Sequence, residues 1–306
     1  MHLKLSYVVV AGALCFLLLT GGCSGSQEPV VIKEFALAEL NSIKIDYDGE
    51  SVIIKESISE KVTVLEYLNK DRAKYFAEID LRGGELNITE GARPIGNGVR
   101  SCLEIYVPAS YRGSISVHTT DGKIQSCVAL SLAQFRADTT NGAVEISNLS
   151  AQKVAASSRG GEVWLKNMNC RTCEIETTNG NVRLDNVEGA VAFHTKNGDL
   201  TARGLRGNGS FQAGGDGNLD VQFTVLSADV EARAKNGNIF LTIPGGQLFA
   251  LEASSRNGSI KTPFPELPVE GHSVKGDVGP GAAINIMLDT GNGDIEIQET
   301  SVSGTE

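Results

Sequence analysis

Aromatic side chains are scarce in this chain of 306 residues, which holds ten Phe, six Tyr and one Trp. Proline is sparser still at eight, whereas glycine reaches 35. That balance suits many short strands joined by tight turns. Basic residues are in deficit: Lys and Arg number 27 against 37 Asp and Glu, a formal charge of -10. Such a balance argues against nucleic-acid binding, which depends on Lys and Arg neutralising phosphates. It also offers no basic patch to anionic lipid head groups. The Gly-x-Ser-x-Gly elbow, His-Glu-x-x-His and the P-loop are all missing from the sequence. Beyond the first 23 residues only Cys102, Cys127, Cys170 and Cys173 remain, and no second CxxC or nearby His pair completes a zinc site.

The N-terminus reads as a targeting segment. Lys4 precedes an apolar run from Val8 to Leu19 that is short for a membrane-spanning helix. It ends in Leu19-Thr20-Gly21-Gly22-Cys23, which resembles a bacterial lipobox. That resemblance implies lipidation of Cys23, which becomes the mature N-terminus when the residues before it are cut away, and a membrane anchor, with residues 1–23 read as the lipoprotein signal peptide with its lipobox Cys. Residues 24–30 read as a flexible tether. Ser24, rather than Asp, after the Cys favours the outer membrane in a Gram-negative host.

What the chain does contain is a repeated phrase. It reads Thr119-Thr120-Asp121-Gly122, Thr139-Thr140-Asn141-Gly142, Thr177-Thr178-Asn179-Gly180, Thr195-Lys196-Asn197-Gly198, Ala234-Lys235-Asn236-Gly237 and Ser255-Arg256-Asn257-Gly258. With Gly161 and Gly217 as degenerate equivalents, the glycines recur every 18 to 21 residues. Aligned on the turn, Ile115, Phe135, Val154, Cys173 and Val191 share one column. Ile124, Val144, Val163, Val182 and Leu200 share another, and polar residues alternate between them. Alternation predicts strands with one buried face. A period near 20 predicts a repeat architecture, stacked at ~4.8 Å per coil.

Asn-Gly between alternating runs also signals hairpins, but matching columns at one-period spacing favour stacked coils over a meander. Leu149, Met168, Val187 and Leu205 mark a second corner. The expected fold is therefore all-β, a right-handed parallel β-helix or β-solenoid, with a thin core of small residues. Positive φ is the expected reason for Asn and Gly at the turns. The copy near Phe211–Gly217 is one residue short, so a distortion is expected there. Residues 31–110 lose the period and read as a β-rich cap, 111–262 as regular repeats, 263–299 as a long loop with strands closing the far end, and 300–306 as a tail.

The Thr-x-Asn-Gly-x-Val series, the corner at Asn186–Gly189 and the closing Thr290-Gly291-Asn292-Gly293-Asp294-Ile295 resemble the bacterial adhesin-like β-helix domain family. The resemblance covers roughly residues 40–298. It implies an envelope β-solenoid, often tethered to a membrane, and carries over no catalytic or binding residue, because the family's function is uncharacterised.

Catalysis would need paired carboxylates or a His-carboxylate pair on one outward face. Three positions before the turn, His118 is expected beside Asp138 and Glu176 beside His194, an arrangement more typical of exposed cross-strand charge pairs. No catalytic, metal or cofactor residues are assigned, and Gly214-Gly215-Asp216-Gly217 matches a calcium repeat only once, at the wrong period. Trp164 and Phe240 face outward by pattern, as a possible binding surface for an envelope protein or carbohydrate. Cys170 and Cys173 are read as buried thiols or a local disulfide. The expected function is a non-enzymatic, lipid-anchored binding or structural protein of the cell envelope, with a carbohydrate-active β-helix enzyme as the alternative.

Overall fold

The computed structural model describes residues 28–94 and 98–300; the signal segment, Cys23 and nearly all of the tail lie outside the described residues. Each central coil turns on the Thr-x-Asn-Gly phrase. The turn glycine N–H donates to the preceding hydroxyl, at 3.0 Å for Gly142 to Thr139, 2.8 Å for Gly161 to Ser158 and 2.9 Å for Gly198 to Thr195. Several of these hydroxyls also donate to turn carbonyls, as Thr119 does to Gly122 at 2.7 Å and Ser158 to Gly142 at 3.0 Å. Thr therefore enters the core column with its polar atom satisfied, which removes the penalty of burying it.

The expected register holds. Ile115, Phe135, Val154, Cys173 and Val191 pair in parallel from coil to coil, as do Val144, Val163, Val182 and Leu200. The short copy does distort the stack: pairing with the next coil slips at several points between Ala202 and Asp216. There Gly209 stands at the core position and the ring of Phe211 occupies the space its side chain would need.

Glycine in the turn has a different cause from the one expected. None of the turn glycines from Gly122 to Gly258 has positive φ. Instead, a Cβ on Gly142, Gly161, Gly180 or Gly237 would lie 1.9–2.0 Å from the carbonyl oxygen of the equivalent glycine one coil back. The left-handed conformation occurs at the second corner, in Asn148, Asn167, Asn186 and Gly204, with φ between 53° and 70°. These Asn side chains form a ladder, with Asn167 donating to Asn148 at 2.9 Å and Asn186 to Asn167 at 3.2 Å.

Both ends depart from sequential stacking. Residues 42–57, read as aperiodic, form a coil in full register, with Ile43 opposite Ile115 and Val52 opposite Ile124. The next coil outward comes from Glu85–Thr89 and Ser101–Pro108. Antiparallel strands then cover that end: Lys61–Leu68 on Ser101–Pro108, Val31–Ala36 on Lys61–Leu68, and Glu78–Arg82 on Glu85–Thr89. At the opposite end, residues 284–297 do not close the stack. They lie between two earlier coils, with Ile286 paired to both Val230 and Leu251, and Ile295 to both Ile239 and Ile260. The terminal coil is Phe249–Ser255 with Ile260–Lys261, capped by antiparallel Ser273–Val278 within the stretch read as loop. Antiparallel edge strands interrupt the parallel register, which prevents further coils from adding.

The core is also less uniformly small than expected. Alongside Ala137, Ala202 and Ala232 it contains Phe135, Phe193, Phe211, Phe223 and Phe249, all 2% exposed or less. Phe211 and Phe223 meet edge to face at 6.3 Å, filling the region where the register slips.

Candidate functional site

Two outward faces arise from the same alternation that builds the core. On the first, coil stacking places His118 beside Asp138, Asp138 beside Ser157, Glu176 beside His194 and His194 beside Gln212. Both His–carboxylate pairs expected from the spacing are thus coil neighbours. Asp138 accepts from Ser157 at 2.6 Å and from the Arg136 guanidinium. A shallow groove of about 390 Å³ runs along this face, floored by Ala155, Ala192 and Ser210 and walled by Arg136, Glu176 and His194. Among the described residues, neither His194 nor His118 is hydrogen bonded to its neighbouring carboxylate. The arrangement offers donors and acceptors of both signs along several coils and no converging catalytic set.

The second face carries Trp164. Its indole N–H donates to Asp185 at 2.8 Å, and its ring lies within 5.5 Å of the Arg183 guanidinium and 5.9 Å of the Lys166 ammonium. Arg183 also bonds Asp185 at 2.8 Å. Neighbouring side chains therefore occupy the indole. Phe240 is 37% exposed, in the same column but four coils along, between Asp220 and Glu296. At ~4.8 Å per coil that separation is roughly 19 Å, so the two rings do not form one patch.

Of the two readings of this pair, the structure has the buried thiols rather than the local disulfide: Cys170 and Cys173 are both free and buried. The neighbouring Cys173 side chain holds the Cys170 thiol below its ordinary pKa, and the same neighbour, with burial, pushes Cys173 well up. Cys170 Sγ donates to Glu188 O at 3.4 Å, and the residue is among those lining a second groove of about 570 Å³, with Arg112, Asn169 and Arg171.

Turn Asn and Asp side chains bind the neighbouring coil. Asn141 donates to Asp121 at 2.5 Å and Asn197 to Asn179 at 2.9 Å, while Asp199, Asn218 and Asn238 accept from the backbone of the next coil at 2.7–2.9 Å. Corner chemistry therefore accounts for these residues in full. Among the described residues, no group of three or more His, Cys, Asp or Glu is placed to hold a metal ion. Nor is any helix among them long and apolar enough to cross a membrane.

The sequence reading missed two buried carboxylates in the cap. Glu66 is 0% exposed, and its oxygens accept from Tyr47 OH at 2.8 Å, from the Ala77 N–H at 2.7 Å and from the Arg93 guanidinium. Arg93 further binds Glu90 at 2.9 Å and Tyr75 O at 3.0 Å. Glu104 is 1% exposed and accepts from Lys55 at 2.8 Å, Tyr106 at 3.0 Å and Tyr67 at 3.5 Å. Burial, then the adjacent Glu66 carboxylate, pushes the Tyr47 phenol far up; Tyr67 rises to about 12 for the same kind of reason, through burial and Glu104. The one available signal was a Glu interrupting an apolar strand, at Val64-Leu65-Glu66-Tyr67 and Leu103-Glu104-Ile105. These networks tie the cap strands and the 90–93 segment together and open onto neither groove.

Among solved structures, the chain is similar to a "putative adhesin" from Bacteroides fragilis at 14% identity, covering 87% of this chain and 96% of that one with a TM-score of 0.46. A "putative adhesin" from Parabacteroides distasonis matches at 14% identity over 87% and 96%, with a TM-score of 0.41. A "putative lipid binding protein" from the same organism matches at 10% identity over 90% and 98%, with a TM-score of 0.40. No curated protein matches the sequence. The family model described as Toastrack DUF4097 matches residues 40–298, almost the whole length of the stacked coils, and the chain belongs to that family.

Proposed function

We propose that this protein is a lipid-anchored β-solenoid of the bacterial envelope that binds an elongated hydrophilic ligand without turning it over. The observation that carries this reading is the first outward face. Its groove holds Arg136, Asp138, Ser157, Glu176, His194 and Gln212 in a registered strip, with a floor of small side chains. A strip of this kind matches a chain-like polar partner, an envelope polysaccharide or an extended protein segment, better than a compact small molecule. Lipidation at Cys23 would hold it to the membrane, at the outer membrane in a Gram-negative host, on its periplasmic or extracellular side.

The test uses the full chain. A palmitate analogue should label it, and Cys23→Ala should accumulate as unlipidated precursor; unchanged labelling in that variant refutes the anchor. Polysaccharide panels should show retention without hydrolysis or elimination, and Arg136→Ala with Gln212→Ala should weaken retention. The Glu176–His194 adjacency is the one feature favouring a carbohydrate-active enzyme. Turnover that disappears in Glu176→Gln or His194→Ala would select that alternative.

A further inference from the structure

The second groove differs from the first in the sign of its charge and in how its wall is built. Ala133, Gln152 and Arg171 follow one another on successive coils. Leu132, Ala151 and Cys170 pair in order on one side of them, and Gln134, Lys153 and Thr172 on the other. One coil further back, Arg112 O accepts from the Ala133 N–H at 3.1 Å. Ser131, Ser150 and Asn169 make a second row alongside, two residues earlier in each coil. The residues of both rows, and Arg112, are exposed and line the groove.

Arg171 ends its row. Asn169 pairs with Glu188 and Thr172 with Ala190, so Cys170 and Arg171 together face the single residue Gly189, and the next coil has no side chain at that position. Bulges of this kind re-aim side chains. Among the described residues Arg171 has no hydrogen-bond or ion-pair partner. Arg112 uses one nitrogen to donate to Ala109 O at 2.6 Å and Tyr111 O at 2.9 Å. None of the residues lining the groove is Asp or Glu. Glu188, next in the row after Asn169, is paired with Arg206 at 3.7 Å, and Glu174, three residues beyond Arg171, with Lys153 at 2.7 Å. In a chain of formal charge -10, two arginines without a lining carboxylate make a local attractor for anions.

The arginines stand three coils apart, roughly 14 Å at ~4.8 Å per coil, so one compact anion cannot reach both. Between them lie hydroxyls and carboxamides, which both donate and accept. Sugar hydroxyls do the same, whereas a polyphosphate offers only acceptors and would leave the Gln152 and Asn169 carbonyls unmatched. Guanidinium forks suit carboxylates, which they bind with two parallel hydrogen bonds. We propose that this groove binds an acidic polysaccharide, with Arg112 and Arg171 each holding a uronate carboxylate while Gln152 and the row of Ser131, Ser150 and Asn169 bond the sugar hydroxyls between them. The site is separate from the strip on the first face and does not depend on it.

The test titrates an oligogalacturonate long enough to span the groove into the full chain by calorimetry, with a neutral oligogalactan and inorganic polyphosphate as comparisons. Oligogalacturonate should bind, the neutral sugar at least about tenfold more weakly. Binding should weaken as salt rises from about 0.05 to about 0.5 M. Arg171→Gln should lower the affinity at least about tenfold and leave the urea midpoint unchanged, because the side chain bonds nothing in the fold. Arg171→Lys should recover part of the loss. Arg136→Ala with Gln212→Ala, on the first face, should bind oligogalacturonate as the native chain does. No binding of oligogalacturonate, equal binding of the neutral sugar, tighter binding of polyphosphate or full affinity in Arg171→Gln would each overturn the proposal. Loss of binding in the first-face variant alone would overturn it too, and would assign the acidic sugar to the first face.

Discussion

Adjacent glycines in one turn, Gly160 and Gly161, should respond oppositely to the same substitution. In Gly161→Ala the new methyl would lie 1.9 Å from Gly142 O and 2.4 Å from its carbonyl carbon. Ordinary contact begins near 3.4 Å, so one coil must move by roughly 1.5 Å against its neighbour, a third of the ~4.8 Å strand spacing. The bonds that set this spacing are short, with Val144 N to Glu162 O at 2.9 Å and Gly160 N to Thr140 O at 2.8 Å. Weakening two of them costs about 0.5–1.5 kcal/mol each, and the overpacking about 1–3 kcal/mol more. The expected loss is about 2–6 kcal/mol. In Gly160→Ala the nearest atom to the methyl is Asn141 Oδ1 at 3.6 Å, and the backbone is not left-handed. That variant should be neutral, or stabilised by about 0.4–1 kcal/mol through a less disordered unfolded chain. Urea denaturation of both, with amide exchange to locate the damage in the coils around 142–180, is the assay. Equal losses at 160 and 161, or a tolerated Gly161→Ala, would refute the close-approach explanation of the glycine column.

Val182 is 2% exposed and stacked between Val163 and Leu200; Val182→Asp should cost at least about 4 kcal/mol through lost burial and a desolvated carboxyl. Arg183→Gln gives up the Asp185 pair and the contact with Trp164 and should cost about 1 kcal/mol or less; a larger loss at 183 by chemical denaturation would mean the inward–outward register is wrong. Glu66→Gln removes one of the two carboxylates paired with Arg93, 7% exposed, leaving Glu90 as the remaining partner, and should destabilise by about 1–3 kcal/mol in the same assay; a neutral result would show that the pair does not hold the cap. Burial raises Tyr111 to about 12, and Tyr67 to about 12 with help from Glu104, against an ordinary value of 10.0. The folded chain therefore keeps protons that the unfolded chain releases, so stability should be intact below about pH 10 and fall as pH rises toward 12. Denaturation midpoints that stay level across that window would contradict the phenols' burial.

The coil period, the identity of the buried columns, the second corner and the distorted copy near Phe211 were all legible in the chain, because one coil repeats the environment of the last and so repeats its residue types. Val163, Val182 and Leu200 align in sequence because they touch in space. The adjacency of Glu176 with His194 followed from the same arithmetic. What that adjacency does not contain is partnership: which side chains bond, and which leave a groove between them, depends on rotamers and on neighbours two coils away. Trp164 illustrates this, since nothing near it in sequence says that Arg183 and Asp185, one coil on, occupy its ring and its N–H.

The sequence by itself determined the stack, since a strict period with matched apolar columns admits one register. Only the tertiary structure decided why the turn needs glycine, because Asn-Gly reads alike whether φ or a neighbouring carbonyl forbids the side chain. It also decided the order of coils at both ends. Residues 42–57 and 284–297 take their places through pairings up to 72 residues away, and long-range pairings impose no local periodicity on the segments they join. The same holds for Glu66, whose partners Tyr47, Ala77 and Arg93 come from three separate segments of the cap. A buried charge is recognisable only once the groups that neutralise it have been brought together.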